Sequence, residues 1–260
     1  MNFFSKKTQY YVSEDFVLGY GNCIELMKKI PDNSIDLIIT DPPYFLSNNG
    51  ITCQSGKMVS VNKGDWDKVN SNKEMDSFNQ LWLKECRRVL TMNGTIWVFG
   101  TNHNIFSVGH TIQKLDFKIL NTITWVKPSP PPNLSCRMFT HSTETIIWSK
   151  KNMKSNHFFD YPLMKEINGG KQMKDVWVVG RTKKNEKRYG KHPTQKPEEL
   201  IERLVLSSSK ENDVILDLFS GSGTTGVVSI RNKRKYIGIE IDLEYLEISK
   251  KRILDEVGNR

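Results

Sequence analysis

The chain has 260 residues, enough for one well-buried catalytic domain and too few for a second complete one. Its 37% hydrophobic and 10% aromatic content excludes a disordered chain, and no apolar run approaches the roughly 18 residues that a membrane helix requires. The net charge of +9, from 38 basic and 29 acidic residues, favours a polyanionic partner.

From the amino terminus, Met1-Asn2-Phe3-Phe4-Ser5-Lys6-Lys7 lacks the basic-then-apolar order of a secretory signal, which predicts a cytoplasmic protein. Short apolar runs follow, rich in β-branched and aromatic residues. They predict strands at Asp15 to Leu18, Ile35 to Thr40, Thr95 to Phe99, Phe117 to Trp125, Thr143 to Ser149, Asp213 to Phe219 and Tyr236 to Glu240. Helical patterns fall between most of them. The clearest starts at Pro197 in the first turn, with Glu198 and Glu199 complementing the helix dipole and Leu200, Ile201, Leu204 and Val205 forming one apolar stripe. The alternation predicts an α/β fold, a mostly parallel sheet covered by helices.

Two polar regions break the alternation, 47–72 and 150–191, and read as functional insertions within a single domain. The first carries Trp66 between Asp65 and Asp67, a side chain suited either to closing over a ligand or to anchoring its own loop. The second ends in the dense basic run Arg181 to Lys191, which fits a phosphate-contacting loop and a solvated surface loop equally well. Trp82, Trp97, Trp125 and Trp148 lie in apolar patterns and are expected in the core. Cys23, Cys53, Cys86 and Cys136 show neither zinc-ligand spacing nor a disulfide pattern, and the five histidines form no metal constellation, so no metal is expected.

Two motifs carry chemistry. Asp41-Pro42-Pro43-Tyr44 follows the strand Ile35 to Thr40, where ligands of open α/β sheets bind. An exocyclic amino group on a nucleobase is a poor nucleophile, because its lone pair is delocalised into the ring. The Asp41 carboxylate and the Pro42 carbonyl are acceptors that localise that pair, and Tyr44 offers a flat face for stacking. Asp and Pro are also common turn residues, so a rigid strand-exit turn is the plain alternative. The second motif, Asp217-Leu218-Phe219-Ser220-Gly221-Ser222-Gly223-Thr224-Thr225-Gly226, runs from strand through glycine-rich turn to helix and matches G-x-G-x-x-G. Glu240 ends the next strand about 20 residues beyond the first glycine, as an acidic partner for ribose hydroxyls should. Glycines and acid together suit a nicotinamide cofactor as well as a methyl donor; only the methyl donor also explains Asp-Pro-Pro-Tyr.

With both motifs in this order, and Lys191-His192-Pro193-Thr194-Gln195-Lys196-Pro197 between them, the chain resembles the amino-group DNA methyltransferases of the β arrangement, over nearly its whole length. Within them it is most similar to the DpnA-type adenine methyltransferases of restriction-modification systems, through Asp41 to Lys68, Pro132 to Arg137 and Phe139 to Thr145. The resemblance implies a Rossmann-like fold, S-adenosylmethionine (SAM) as cofactor, adenine N6 as target, GATC as site, and activity that extends to unpaired DNA. It allows a homodimer and a companion restriction endonuclease. It assigns Asp41 and Pro42 to the amino group and Tyr44 to the base. Phe219, Gly221 and Gly223 would line the SAM pocket with Asp217 near them, Glu240 would hold the ribose, and Thr194, Lys196 and Pro197 would close the pocket near the methionine carboxylate. Lys196 could instead be a surface residue at the helix start.

A base in a duplex cannot reach such a pocket, so the target must be flipped out or already unpaired. DNA contacts are expected from Asn133, Ser135 and Arg137, with Lys183, Lys184, Lys187 and Arg188 on phosphates. Arg137 could instead brace the proline-rich turn Pro128 to Pro132. N4-cytosine methylation shares the chemistry and stays open. Cytosine C5 methylation does not fit, since none of the four cysteines follows a proline. A non-catalytic DNA-binding protein with the same fold, or an RNA or protein methyltransferase, are the remaining alternatives.

Overall fold

A computed structural model describes residue 4, residues 7–45 and 71–258, and the backbone of 51–54 and 57–60. Its main sheet has nine strands: β1 (Gln9–Val12), β2 (Phe16–Tyr20), β3 (Ile35–Thr40), β6 (Leu90–Gly100), β7 (Lys118–Val126), β8 (Thr143–Lys150), β9 (Val176–Val178), β10 (Val214–Asp217) and β11 (Lys235–Glu240). They are ordered β1-β2-β11-β10-β3-β6-β8-β7-β9. From β2 across to β6 every neighbouring pair is parallel; β1 and β8 run against their neighbours. The fold is thus the predicted α/β class. All seven predicted strands are present, but the edge strands β1 and β9 are not among them.

Helices α1 (Cys23–Met27), α2 (Asn72–Val89) and α3 (Ile105–Lys114) pack on one face, and α5 (Glu198–Ser208) on the other. Helices α6 (Thr224–Arg231) and α7 (Leu243–Gly258) cover the β2–β11 end. Strand periodicity sorts the layers: on β3, Ile38 faces the first core while Leu37 and Ile39 face the second. The second core is aromatic. Trp97 and Trp148, adjacent on β6 and β8, stack 4.7 Å apart with their planes 5° from parallel, a geometry worth about 1 kcal/mol beyond the area it buries. All four tryptophans expected in the core are buried. No helix among the described residues is long and apolar enough to cross a membrane.

The expectation of irregular chain in the two polar regions gives way to short elements. Between 150 and 191 lie α4 (Tyr161–Ile167), β9 and a 3-10 turn at Asn185–Lys187. Asp160 caps α4 by accepting from the Leu163 N–H, and Trp177, the one buried residue of β9, drops into the second core with Arg203 over its ring. One buried residue in three is too short a run to reveal a strand by period. In the earlier region, β4 (Ile51–Gln54) and β5 (Lys57–Ser60) pair as an antiparallel hairpin. Asp65, Trp66 and Asp67 lie outside the described residues.

Helix α5 also begins one residue later than expected. Pro197 has φ −66° and ψ 138°, so it is the extended residue before the first turn. The Glu198 N–H there is received by the Glu186 carboxylate at 3.0 Å, which ties the basic region to the helix start.

Candidate active site

The parallel run puts the carboxyl ends of β2, β3, β10 and β11 on one edge of the sheet. Chain direction diverges there: β3 leads through α2 to β6 on one side, and β10 leads through α6 to β11 on the other. The crevice between two such strands is where ligands of open α/β sheets bind. Here it holds a cavity of about 230 Å³, lined by Asp41 to Tyr44 from the end of β3, Leu218, Phe219 and Gly221 after β10, Glu240 from β11 and Cys23 from α1. His192, Thr194, Phe78 and Tyr245 are also in its wall. A smaller space of about 40 Å³ adjoins it, bounded by Asp41, Thr194, Lys196, Asp217 and Gly221.

The donor-side end is built from backbone. Gly221 adopts φ 51° and donates its N–H to Glu240 at 2.7 Å; a Cβ there would sit 3.1 Å from the His192 ring. The other Glu240 oxygen accepts from the Ile241 and Asp242 N–H groups. Burial pushes the Glu240 carboxyl up, against the pull of those hydrogen bonds. Asp217 lies beneath the loop and accepts from the Phe219 N–H at 3.1 Å and the Thr225 hydroxyl at 2.7 Å. Burial raises it to about 7. The Cys23 thiol is pushed by burial to about 12, so this wall residue is not a nucleophile.

Gly223 does not line either cavity. It starts α6 at φ 74°, and an added Cβ would lie 2.2 Å from the Ser249 hydroxyl and 2.9 Å from the Ser249 Cα, so its smallness serves the approach of α7. Gly226 serves packing likewise, against Tyr236 and Ile253.

The acceptor end is a buried charge cluster. Tyr44 donates to Asp41 Oδ1 at 2.6 Å, and Lys196 Nζ donates to Asp41 Oδ2 at 2.5 Å. Lys196 is therefore neither a surface residue nor committed to the glycine loop: its ammonium, 8% exposed, lies between Asp41 and Glu144, whose Oε2 is 3.6 Å away. Pro197 lines neither cavity. Glu144, from the start of β8, also faces the Tyr44 hydroxyl at 3.4 Å and is anchored by an ion pair with Lys127 at the end of β7. Burial alone would depress Lys196, but Asp41 and Glu144 outweigh it and raise its pKa. Burial alone would raise Glu144, but Lys196 and Lys127 outweigh it and hold it low. Burial and the two carboxylates together push the Tyr44 phenol well up, so it stays a donor. Asn104 donates to the Pro43 carbonyl at 3.4 Å, while the Pro42 carbonyl accepts no hydrogen bond among the described residues.

Sequence reasoning missed Glu144, Lys127, Phe78, His192 and Tyr245. A carboxylate at the second position of a strand whose centre is Ile146-Ile147-Trp148 was the available signal for Glu144.

The expected DNA-side residues are scattered over exposed chain. Asn133 accepts from the Ser135 N–H and hydroxyl and donates to the Met138 carbonyl, shaping the exposed turn that carries Arg137. The Arg137 side chain makes no hydrogen bond or ion pair among the described residues; Arg181 is the one that donates to the Ser129 carbonyl of the proline-rich segment. Lys183 and Lys184 are exposed, and Lys187 is half-buried. Arg188 is not available in the same way, because its guanidinium pairs with Asp255 of α7 and lies 5.1 Å over the Tyr189 ring.

A DNA methylase family model, of the N6/N4 methyltransferase type, matches residues 35–251. Among curated proteins, the type II methyltransferase M2.LlaDCHI of Lactococcus lactis subsp. cremoris is 58% identical over 245 residues, 94% of this chain and 91% of that protein. M2.DpnII of Streptococcus pneumoniae is 54% identical with the same coverage. Among solved structures, the SAM complex of M1.HpyAVI aligns with a TM-score of 0.69 at 26% identity, over 92% of this chain and 98% of that one. The cytosine-N4-specific PvuII DNA methyltransferase aligns with a TM-score of 0.76 at 21% identity, over 99% and 96%.

Proposed function

The chain belongs to the N6/N4 DNA methylase family and is a SAM-dependent DNA methyltransferase, and from that premise we propose that it methylates adenine N6 within GATC as the modification enzyme of a restriction-modification system. The observation that carries the amino-group chemistry is the pair formed by the Asp41 carboxylate and the Pro42 carbonyl, which accepts no hydrogen bond among the described residues, at the mouth of a cavity that runs back to Glu240. Adenine is favoured by Asp at the head of the tetrapeptide and by the long matches to DpnA-type enzymes around it.

The cavity suits SAM by its chemistry. Glu240 offers an acidic carboxylate for ribose hydroxyls, Gly221 permits close backbone approach, and Phe219 and Phe78, 6.2 Å apart, supply apolar walls. Glu240, Phe219, Gly221 and Thr194 would hold the cofactor, with Asp217 beneath them. It supplies a methyl group made electrophilic by its sulfonium. Asp41 and Pro42 accept from the two N–H bonds of the target amine, which draws the lone pair out of the ring and toward the methyl. Tyr44 orients Asp41 through its hydroxyl and would stack on the base. Catalysis is then positioning plus fixed dipoles, without a strong general base.

The base must be out of its stack, flipped from a duplex or already unpaired. Arg137, with Asn133 and Ser135 shaping its turn, reads base edges or phosphates, and Lys183, Lys184 and Lys187 contact phosphates. A companion endonuclease of the same specificity and a homodimer complete the proposal, on the resemblance to DpnA-type enzymes.

Radiolabelled SAM incubated with unmethylated duplex and single-stranded DNA, followed by nucleoside analysis and site mapping, tests this directly. N6-methyladenine within GATC is expected; N4-methylcytosine or another site overturns the specificity. Asp41→Ala is expected to abolish transfer while SAM binding persists, and loss of SAM binding as severe as in Gly221→Asp refutes its role at the amine.

A further inference from the structure

Asp41 is asked to accept a hydrogen bond from the target amine, yet both its oxygens are already engaged. Oδ1 receives the Tyr44 hydroxyl and Oδ2 receives the Lys196 ammonium, at 2.6 and 2.5 Å. Each oxygen keeps a second lone pair, but one whose negative charge is shared with an ammonium at that distance has less of it to offer a neutral donor, and the ammonium occupies the space beside it. The neutral amine competes poorly with a buried ammonium unless that ammonium has somewhere else to go. Lys196 has one such place. Glu144 Oε2 is 3.6 Å from Nζ, and Glu144 is held in place through its other oxygen by Lys127. The lysine thus stands between two carboxylates in a nearly dry site and can keep an ionic partner throughout a small shift from one to the other.

We propose that Glu144 is a positioning residue that takes Lys196 over from Asp41 as the target amine arrives. Asp41 Oδ2 is released to the N–H of the base, and the ammonium moves toward Glu144 without entering a site where it has no counter-charge. Tyr44 stays on Oδ1 and keeps the carboxylate plane fixed during the exchange. No bond is made or broken beyond hydrogen bonds, and the charges of Asp41, Glu144, Lys196 and Lys127 balance in both arrangements. The inference rests on the methyltransferase reading of Asp41.

The test is a double-mutant cycle in the full-length enzyme, reading single-turnover methylation of DNA and, separately, SAM affinity. Glu144→Gln leaves Lys196 with Asp41 as its single ionic partner and is expected to slow the chemical step by about 10²-fold, the order of a small misplacement, with SAM affinity unchanged. Because Glu144 acts through Lys196, adding Glu144→Gln to Lys196→Met is expected to slow the reaction no further. Effects that multiply, or a Glu144→Gln enzyme that loses SAM binding as much as rate, overturn the inference. Should Glu144→Gln not fold, Glu144→Asp keeps the charge, shortens its reach by one methylene, and is expected to show the same pattern at smaller amplitude. A wild-type enzyme that labels no DNA at all refutes the underlying reading instead.

Discussion

Replacing Lys196 by Met keeps most of the unbranched stem and removes the ammonium, which lies over the Tyr44 and Phe99 rings at 5.4 and 5.2 Å from their centroids. Removing one partner of a buried ion pair costs about 3–5 kcal/mol, because the remaining charge is left uncompensated. Here the lower end applies, since Lys127 still neutralises Glu144 and the Asp41 side chain is 20% exposed. A loss of about 3 kcal/mol is therefore expected at pH 8. The sign of its pH dependence follows from the two shifts. Lys196 is raised above 10.5 in the folded state, so its contribution is complete at every pH below that and cannot vary between 5 and 8. Glu144 is lowered below 4.5 in the native enzyme, so its contribution is present above 4.5 and lost only as pH falls further. In the variant the burial of Glu144 is still opposed by Lys127 and the Tyr44 hydroxyl but no longer by Lys196, so its folded pKa rises from its native position. Acidification then favours the variant, and its deficit is expected to be smaller at pH 5 than at pH 8. Urea unfolding followed by tryptophan fluorescence at pH 5 and 8 measures both gaps. Equal deficits at the two pH values, or none at pH 8, refute the reading of Lys196 as a shared buried counter-charge.

Gly223→Ala puts a Cβ 2.2 Å from the Ser249 hydroxyl at φ 74° and is expected to cost about 2–3 kcal/mol in chemical denaturation, with the catalytic groups untouched. Neutralising Lys183, Lys184 and Lys187 together should weaken DNA binding and reduce the slope of log K against log salt by about 3 on duplex DNA; an unchanged slope puts the DNA path elsewhere. Asp217, raised by burial from 3.8 to about 7, binds a proton on folding within that window, so native stability should fall as pH rises through it, by up to about 4 kcal/mol. Asp217→Asn should flatten that dependence in unfolding experiments across pH 5 to 8.

The parts of the site that could be read in the sequence are those contained in one strand and the turn after it. Asp41 follows β3 directly, Gly221 follows β10 by four residues, and Glu240 ends β11. Local pattern is enough to locate each, and the parallel sheet brings them to one edge. What could not be read is pairing across long separations. Lys196 meets Asp41 across 155 residues and Glu144 meets Tyr44 across 100, and no spacing rule connects such positions. Gly223 shows the same boundary in reverse: the G-x-G-x-x-G match suggested a cofactor contact, whereas its neighbour is Ser249 on a helix that the motif does not include. Arg188 pairs with Asp255 for a similar reason, since α7 returns to the basic region only in the folded chain. The strands β1 and β9, of four and three residues at the sheet edges, gave too little alternation to be seen.

The segment between the basic region and α5 links the two halves of the site. Within five residues, His192 and Thr194 line the donor-side cavity and Lys196 grips the acceptor carboxylate. Its ends are tied down, by His192 against the Tyr245 ring at 4.3 Å and by the Gln195 side chain donating to the Glu186 carbonyl. A rigid connection this short cannot shift at one end while the other stays still, and catalysis by positioning is sensitive to displacements of about 1 Å. Substitutions at His192 or Thr194 should therefore change the methylation rate beyond what reduced SAM occupancy explains, even at saturating cofactor. Asp41→Ala, outside the segment, should separate the two effects cleanly. The order of motifs along the chain matters here: with the acceptor motif first and the glycine loop last, the residues just before α5 are the ones positioned to bridge them.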